Sequence, residues 1–300
     1  MQAGRHPLLW GLMVTASMFA IFFVVILLVT VLLTGEEGIA AGGAKIGVIA
    51  IEGVISSDLA ERTVRLLTKY ADDASIKAIV LKIDSPGGGV ASSQEIYEEV
   101  RRIRSGGKLV VASLGSVAAS GGYYIACVAD RIFANAGTVT GSIGVIVQLA
   151  NAEELLRKIG VESTVITSGP FKDSGTPTRA LRPEERQVFQ ALVDDVYQQF
   201  VEAVAQGRNL PVGEVRQAAD GRIYTGRQAK DLRLVDELGG FQDAITYAAT
   251  TIGSEGKPKL VREEKERLWW LKYIFESLPD SFTWRPLSKA EAVLQYRWPY

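Results

Sequence analysis

The sequence predicts an α/β protein in which a mostly parallel sheet is covered by helices and preceded by one membrane-spanning helix. From residue 45 onward, short β-branched runs alternate with longer segments of helical apolar spacing. Strands separated by helices cross over and pair in parallel. Ahead of them, residues 7–35 carry no charge, and about 20 apolar residues suffice to span a bilayer as a helix.

The apolar run at residues 7–35 is dominated by Leu, Val, Ile, Phe and Met. A cleaved signal peptide has an apolar region of about 7–15 residues, so the longer run favours an uncleaved anchor. Arg5 precedes the run, whereas Glu36 and Glu37 follow it. The excess of positive charge on the cytoplasmic side then predicts a single-pass cell-membrane protein, with its N-terminus in the cytoplasm and residues 36–300 outside.

Composition divides the chain into four parts. Residues 1–35 form a cytoplasmic stub and transmembrane anchor, residues 36–44 a flexible tether rich in Gly and Ala, and residues 45–253 one large domain. Residues 254–300 form a tail that is first charged and then aromatic. Three interpretations of this tail stay open: a packing helix or oligomer contact, a membrane-surface contact, or a contact with substrate.

Each predicted element rests on its local pattern. β-Branched runs predict strands, helical apolar spacing predicts helices, and Pro183 suits the first turn of a long helix. The predicted strands are 45–51, 77–83, 108–114, 131–134, 143–148 and 161–166. The predicted helices are 59–70, 91–104, 120–129, 152–158, 183–207, 211–219, 227–231 and 241–252.

Composition also excludes several classes of function. The net charge of −1 gives no reason to expect a nucleic-acid partner. Cys127 is the only cysteine and His6 the only histidine, so we expect no intrachain disulfide, no zinc or haem site and no cofactor. Because Cys127 lies in an apolar helical context, we expect a buried structural thiol.

Ser120 is the candidate nucleophile. Two alanines precede it and two glycines follow it, so a substrate backbone could approach closely, and the N–H of Gly121 could stabilise an oxyanion at the start of a helix. Since His6 lies beyond the apolar run, a Ser-His-Asp triad has no imidazole to use. A tight strand-to-helix turn that needs small residues for packing remains the alternative.

The base for Ser120 would have to be a lysine. Lys172 lies in a loop between a predicted strand and a helix, and Ser142 could hold its amine in position. With a reference pKa of 10.4, only roughly 1 lysine in 2,500 is neutral at pH 7, so a general base of this type needs burial. The alternative is an ordinary solvated lysine. Ser105 and Lys108 match the S-x-x-K pattern, but their polar turn indicates a chance match.

A second glycine-rich loop follows a strand and precedes a helix, where ligands bind in open α/β sheets. The loop is Asp84-Ser-Pro-Gly-Gly-Gly89, and it lacks the GK[ST] signature of a nucleotide-binding loop. Gly88 could instead offer its N–H to a developing oxyanion.

Six motifs follow one another along the chain: Ile83–Gly89, Gly115–Ile125, Thr140–Val145, Ser168–Asp173, Gly221–Ala229 and Leu234–Gly239. Their order is the one seen in the signal peptide peptidase A family, peptidase family S49, and the chain resembles the short form of that family over about residues 45–252.

The resemblance implies a crotonase- and Clp-protease-like fold and a Ser-Lys dyad endopeptidase that degrades remnant hydrophobic signal peptides at the membrane. It implies Ser120 as nucleophile, Lys172 as general base and Ser142 as the hydroxyl that orients the lysine. Gly88 and Gly121 would form the oxyanion hole. It also implies a homo-oligomer, octameric in the short form.

Three other functions stay open on sequence grounds. One is a related membrane quality-control protease with other peptide substrates. Another is an acyl-CoA hydratase or isomerase, which shares glycine-rich oxyanion loops but depends on carboxylates. The third is a non-enzymatic membrane scaffold.

Overall fold

The computed structural model describes residues 15–25, 44–263 and 295–297. These belong to two units, Met1–Gly43 and Ala44–Tyr300. In the first unit, residues 15–25 are helical. None of the helices described is long and apolar enough to span a membrane. The predicted span at residues 7–35 lies mostly outside the described residues.

The second unit is a mixed α/β domain whose elements follow the predicted alternation. Its strands are β1 Lys45–Glu52, β2 Ile76–Ser85, β3 Gly87–Gly89, β4 Leu109–Ala119, β5 Arg131–Ala134, β6 Val139–Gly141, β7 Ile223–Thr225, β8 Glu237–Leu238, β9 Lys259–Arg262 and β10 Gln295–Arg297. Its helices are α1 Ser57–Asp72, α2 Val90–Ser105, α3 Gly121–Ala126, α4 Glu153–Lys158, α5 Pro183–Arg208, α6 Val212–Ala218, α7 Gly226–Asp231 and α8 Phe241–Thr251.

The main sheet has the order β7-β6-β4-β2-β1-β9, and β5 pairs with both β4 and β8. Every pair is parallel except β6 with β7. Strand β4 changes neighbour along its length, since residues 111–114 pair with β5 and residues 117–119 pair with β6. The mostly parallel sheet confirms the predicted α/β class.

Both faces of the sheet are covered, which explains why its central strands are continuous apolar runs. On one face, Val48 and Val80 pack with Ala248 of α8. On the other, Ile49 and Leu81 belong to the larger core shared with α1, α2, α3 and α5. Alternate strand residues therefore face opposite layers, and both layers are apolar.

The predictions of strands at 143–148 and 161–166 are wrong. Residues 161–167 form no strand, and in the first segment only Ile146 forms an isolated bridge. Residues 161–166 are all exposed, so no buried surface favours a strand there. In the first segment Ile143 is buried in the core, but it belongs to no strand. Most of the predicted tail, residues 264–294 and 298–300, lies outside the described residues.

Candidate active site

Ser120 occupies a sharp turn between β4 and α3. Its backbone has φ 55° and ψ −118°, a strained conformation for a residue with a side chain. The residue is 1% exposed, and Gly121 and Gly122 after it are also buried. A strained strand-to-helix turn of this kind also presents the nucleophilic serine in other hydrolases.

Ser120 and Ser142 lie at the carboxyl ends of neighbouring parallel strands. The N–H of Ser120 donates to the carbonyl of Gly141 at 2.8 Å, and Ser142 is the next residue. Ser142 is 7% exposed and also has a positive φ, 50°. Its N–H donates to the carbonyl of Arg222 at 2.8 Å, so both serine backbones are anchored.

The two glycines predicted to form the oxyanion hole also meet. A Cβ added to Gly121 would lie 3.2 Å from the backbone nitrogen of Gly88 and 2.5 Å from Oγ of Ser93. The hydroxyl of Ser93 donates to the carbonyl of Gly89 at 2.9 Å. The absence of a side chain at Gly121 therefore permits the close approach of the two glycine segments.

Strand β3 presents one edge to an extended segment. The N–H of Ile55 donates to the carbonyl of Gly87, and the N–H of Gly89 donates to the carbonyl of Ile55, both at 2.9 Å. Because peptide groups alternate along a strand, the N–H and C=O of Gly88 face the other edge. There β10 pairs antiparallel, with Tyr296 opposite Gly88.

Polar side chains that the sequence did not single out hold these turns. The carboxylate of Asp84 accepts from the N–H of Val117 at 3.0 Å, and the hydroxyl of Ser85 accepts from the N–H of Gly87 at 3.1 Å. The hydroxyl of Thr140 donates to a carbonyl of β4 at 2.7 Å. Their only signal in the sequence is that each lies at a strand end within a motif.

A cleft of about 540 Å³ opens beside Ser142. Ile143 and Ile146 contribute apolar wall, and Tyr197 and Asp220 lie on its other side. Its size and mixed lining suit a side chain of a bound peptide.

Lys172 is exposed, and it lies in a series of turns rather than in a pocket. Its backbone N–H donates to the carbonyl of Gly169 at 3.2 Å. No hydrogen bond or ion pair joins its ammonium to any residue that the structure describes. The structure therefore brings Ser120, Ser142, Gly88 and Gly121 together but shows no such link between them and Lys172.

Lys108 has a structural role. Its ammonium donates to the carbonyls of Tyr70 and Ala71 at 2.7 Å and of Asp73 at 3.0 Å. These carbonyls terminate α1, where a cation is favourable. Desolvation lowers the pKa of Lys108. The match of Ser105 and Lys108 to S-x-x-K thus reflects a helix cap, as expected of a chance match.

Cys127 is the buried structural thiol that the sequence predicted. Its thiol donates to the carbonyl of Tyr124 at 3.1 Å. Burial raises its pKa to about 12, and a thiol that stays protonated is a poor nucleophile.

Two protein-family models and several known proteins match this chain. The model of Peptidase family S49 matches residues 102–254, and that of Clp protease matches residues 43–139. A Synechocystis sp. protein named as a protease is 49% identical over 209 residues, 70% of this chain and 75% of the relative. An Enterococcus faecium protein named as signal peptide peptidase SppA is 40% identical over 223 residues, 71% of this chain and 64% of the relative. Protease 4 of Haemophilus influenzae is 34% identical over 211 residues, 68% of this chain and 34% of that protein.

Proposed function

Because the chain belongs to peptidase family S49 and is a serine protease of that family, we propose that it is a membrane-anchored endopeptidase that degrades remnant signal peptides. One observation carries the proposal. The strained turn of Ser120 lies against Gly121 and Gly88, and the edge of β3 that Gly88 faces pairs with the extended segment β10.

The chemistry follows from these positions. Ser120 Oγ attacks the carbonyl of the scissile peptide bond while the neutral amine of Lys172 takes its proton. The N–H groups of Gly88 and Gly121 stabilise the oxyanion. Lys172 then returns the proton to the leaving amine, and water hydrolyses the acyl-enzyme. Ser142 orients the lysine from the neighbouring strand end.

Substrate binds along β3 in this proposal. The pairing of Gln295–Arg297 with Gly87–Gly89 supports it, because an extended segment of this chain already lies antiparallel on that edge. Main-chain pairing supplies affinity without demanding particular side chains. A protease that must accept many different signal peptides needs this property.

A second copy of the chain brings Lys172 to Ser120 in our proposal. We define the arm as residues 144–184, a stretch in which no residue is buried. Besides Lys172, the arm exposes several large apolar side chains. Each of the following exposes 50–95% of its surface: Ile159, Val165, Ile166 and Phe171. Apolar exposure on this scale marks an interaction surface. A homo-oligomer would cover it, and the family resemblance favours an octamer.

Membrane attachment rests on residues 7–35, whose uncharged apolar composition and flanking charges support an anchor with the protease domain outside the cytoplasm. The name of the Enterococcus faecium relative supports signal peptides as substrates. Hydrophobic peptides left in the bilayer would then lie in the same membrane as the anchored enzyme.

The proposal is tested with the full chain purified in detergent. A synthetic signal peptide and a hydrophilic peptide of equal length are incubated with wild type and with Ser120→Ala, and products are identified by mass. We expect internal cuts in the signal peptide by wild type alone. Equal cleavage of both peptides would contradict the substrate class, and cleavage by Ser120→Ala would contradict the nucleophile.

A further inference from the structure

The arm that carries Lys172 is organised around a carboxylate. From residue 144 to residue 195 only one residue is buried, and it is Glu185, which is fully inaccessible to solvent. Burying a charged side chain is costly unless it is paired and hydrogen-bonded. Apolar side chains could be buried here without this cost, so the burial of a carboxylate in their place needs a specific explanation.

Two arginines satisfy the carboxylate of Glu185. Arg179 donates to both of its oxygens, at 2.9 Å and 2.6 Å. Arg182 donates from its Nε at 3.0 Å and from its backbone N–H at 2.9 Å. These bonds, led by those from Arg179, hold the pKa of Glu185 well below its usual range.

The same network forms hydrogen bonds to the chain on both sides of Lys172. Arg182 donates to the carbonyl of Pro170, two residues before the lysine. Arg179 Nε donates to the carboxylate of Asp173 at 3.0 Å, one residue after it. The hydroxyl of Ser174 donates to Glu185 at 3.2 Å. Lys172 thus lies within a short segment tied at one point to Glu185 in the first turn of α5, and at two points to Arg179 and Arg182 just before that helix.

The charges of the network balance. Asp173 and Glu185 contribute two negative charges, and Arg179 and Arg182 contribute two positive charges. The carboxylate next to Lys172 is therefore already paired with arginine. A carboxylate with no other partner would attract the lysine ammonium and draw the side chain back onto its own loop.

We propose that Glu185 is a positioning residue, and that with Arg179, Arg182 and Asp173 it fixes the segment that presents Lys172 to the nucleophile. The proposal rests on the proposed function of Lys172 as the base. It accounts for a buried charged residue in a stretch with no apolar core. Since no residue of the arm itself is buried, the ionic network supplies the rigidity that packing supplies elsewhere.

The test compares Glu185→Gln with wild type in steady-state hydrolysis of a signal peptide. Displacement of the base slows the chemical step but leaves the contacts with the substrate intact. We therefore expect kcat to fall about 10- to 100-fold with KM nearly unchanged. Glu185→Asp keeps the charge and should recover part of kcat. Arg179→Lys loses the bidentate contact with the carboxylate, so its kcat should fall as in Glu185→Gln.

The matched control breaks an ion pair of the same kind outside the arm. Asp236 accepts from Arg208 at 2.6 Å, and only 7% of the Arg208 side chain is exposed. Asp236→Asn should lower the unfolding temperature and leave kcat of the folded enzyme unchanged. If both variants reduce kcat in proportion to the folded fraction, Glu185 is merely structural and the inference fails.

A further variant separates this inference from the proposed function. In the background of Lys172→Ala, Glu185→Gln should cause no additional loss of residual activity, because the group that it positions is gone. If Lys172→Ala is itself fully active, the assignment of the base is wrong. If Lys172→Ala is inactive while Glu185→Gln keeps full kcat, only the positioning role is wrong.

Discussion

The backbone N–H of Ser120 donates to the carbonyl of Gly141 at 2.8 Å. This bond extends the pairing of β4 with β6 beyond Ala119, so the proposed nucleophile lies beside the residue that precedes Ser142. Both serines have positive φ. The two strained turns support each other, because each lies at the end of a strand held in register by its neighbour.

The hydroxyl of Ser142 is predicted to act on Lys172 rather than to stabilise its turn. Ser142→Gly removes the hydroxyl and relaxes the positive φ, whereas Ser142→Ala removes the hydroxyl and keeps the strain. We expect both variants to lose activity equally, and Ser142→Gly to unfold at the higher temperature. An active Ser142→Gly would show that the hydroxyl is dispensable.

Subunit complementation tests whether Lys172 acts on a neighbouring copy. Ser120→Ala and Lys172→Ala should each be inactive alone. Coexpressed, they should form mixed oligomers in which an intact serine meets an intact lysine, and hydrolysis should return. Lys77→Ala, which changes an exposed lysine outside the arm, should behave as wild type. No recovery in verified mixed oligomers would place both groups in one chain.

The segment at β10 should compete with substrate for the edge of β3. Truncation after Leu294 removes the strand that pairs with Gly87–Gly89, so we expect KM to fall while kcat stays unchanged. The substitution Tyr296→Pro removes the N–H opposite Gly88 and should act in the same direction. A free peptide of residues 295–300 should inhibit the truncated enzyme competitively. An unchanged KM in both variants would exclude competition.

Gly121→Ala should block the oxyanion hole. The new methyl group would lie 2.5 Å from Ser93 Oγ and 3.2 Å from the nitrogen of Gly88, so the glycine segments must separate. Loss of one oxyanion donor costs about 10²–10³ in kcat. Gly137→Ala is the control, because apart from its own chain neighbours no atom lies within 4 Å of the added carbon. Comparable losses in the two variants would contradict this assignment.

Cys127 should be inert in the folded protein. Its pKa is raised to about 12 by burial, so the folded state keeps the thiol protonated at pH 8, whereas an unfolded thiol ionises near its ordinary pKa of 9.0. Burial of the neutral thiol therefore makes its full contribution to the free energy of unfolding below about pH 9, and this contribution is lost as the pH rises toward 12. A chromogenic disulfide should label Cys127 only after denaturation, and rapid labelling of native protein would contradict its burial.

The alternation of elements and the candidate serine could be predicted because they depend on local patterns. Apolar runs such as Ile79–Leu81 are buried on both faces of the sheet, and their composition carries that information directly. The pattern misled at residues 161–166, since those side chains are exposed and form no strand. A β-branched run forms a buried strand only when a partner strand lies beside it. The run by itself does not indicate whether such a partner exists.

Sequence patterns were sufficient to predict the α/β class, the small-residue turn around Ser120 and the lack of a histidine base after His6. Which segments meet depends on tertiary packing: Ser120 with Gly141, Gly121 with Gly88, and Glu185 with Ser174, two residues after Lys172. Periodicity records which face of an element is apolar. The register between distant strands and the partner of a buried charge depend on the whole packed domain, so no local pattern encodes them.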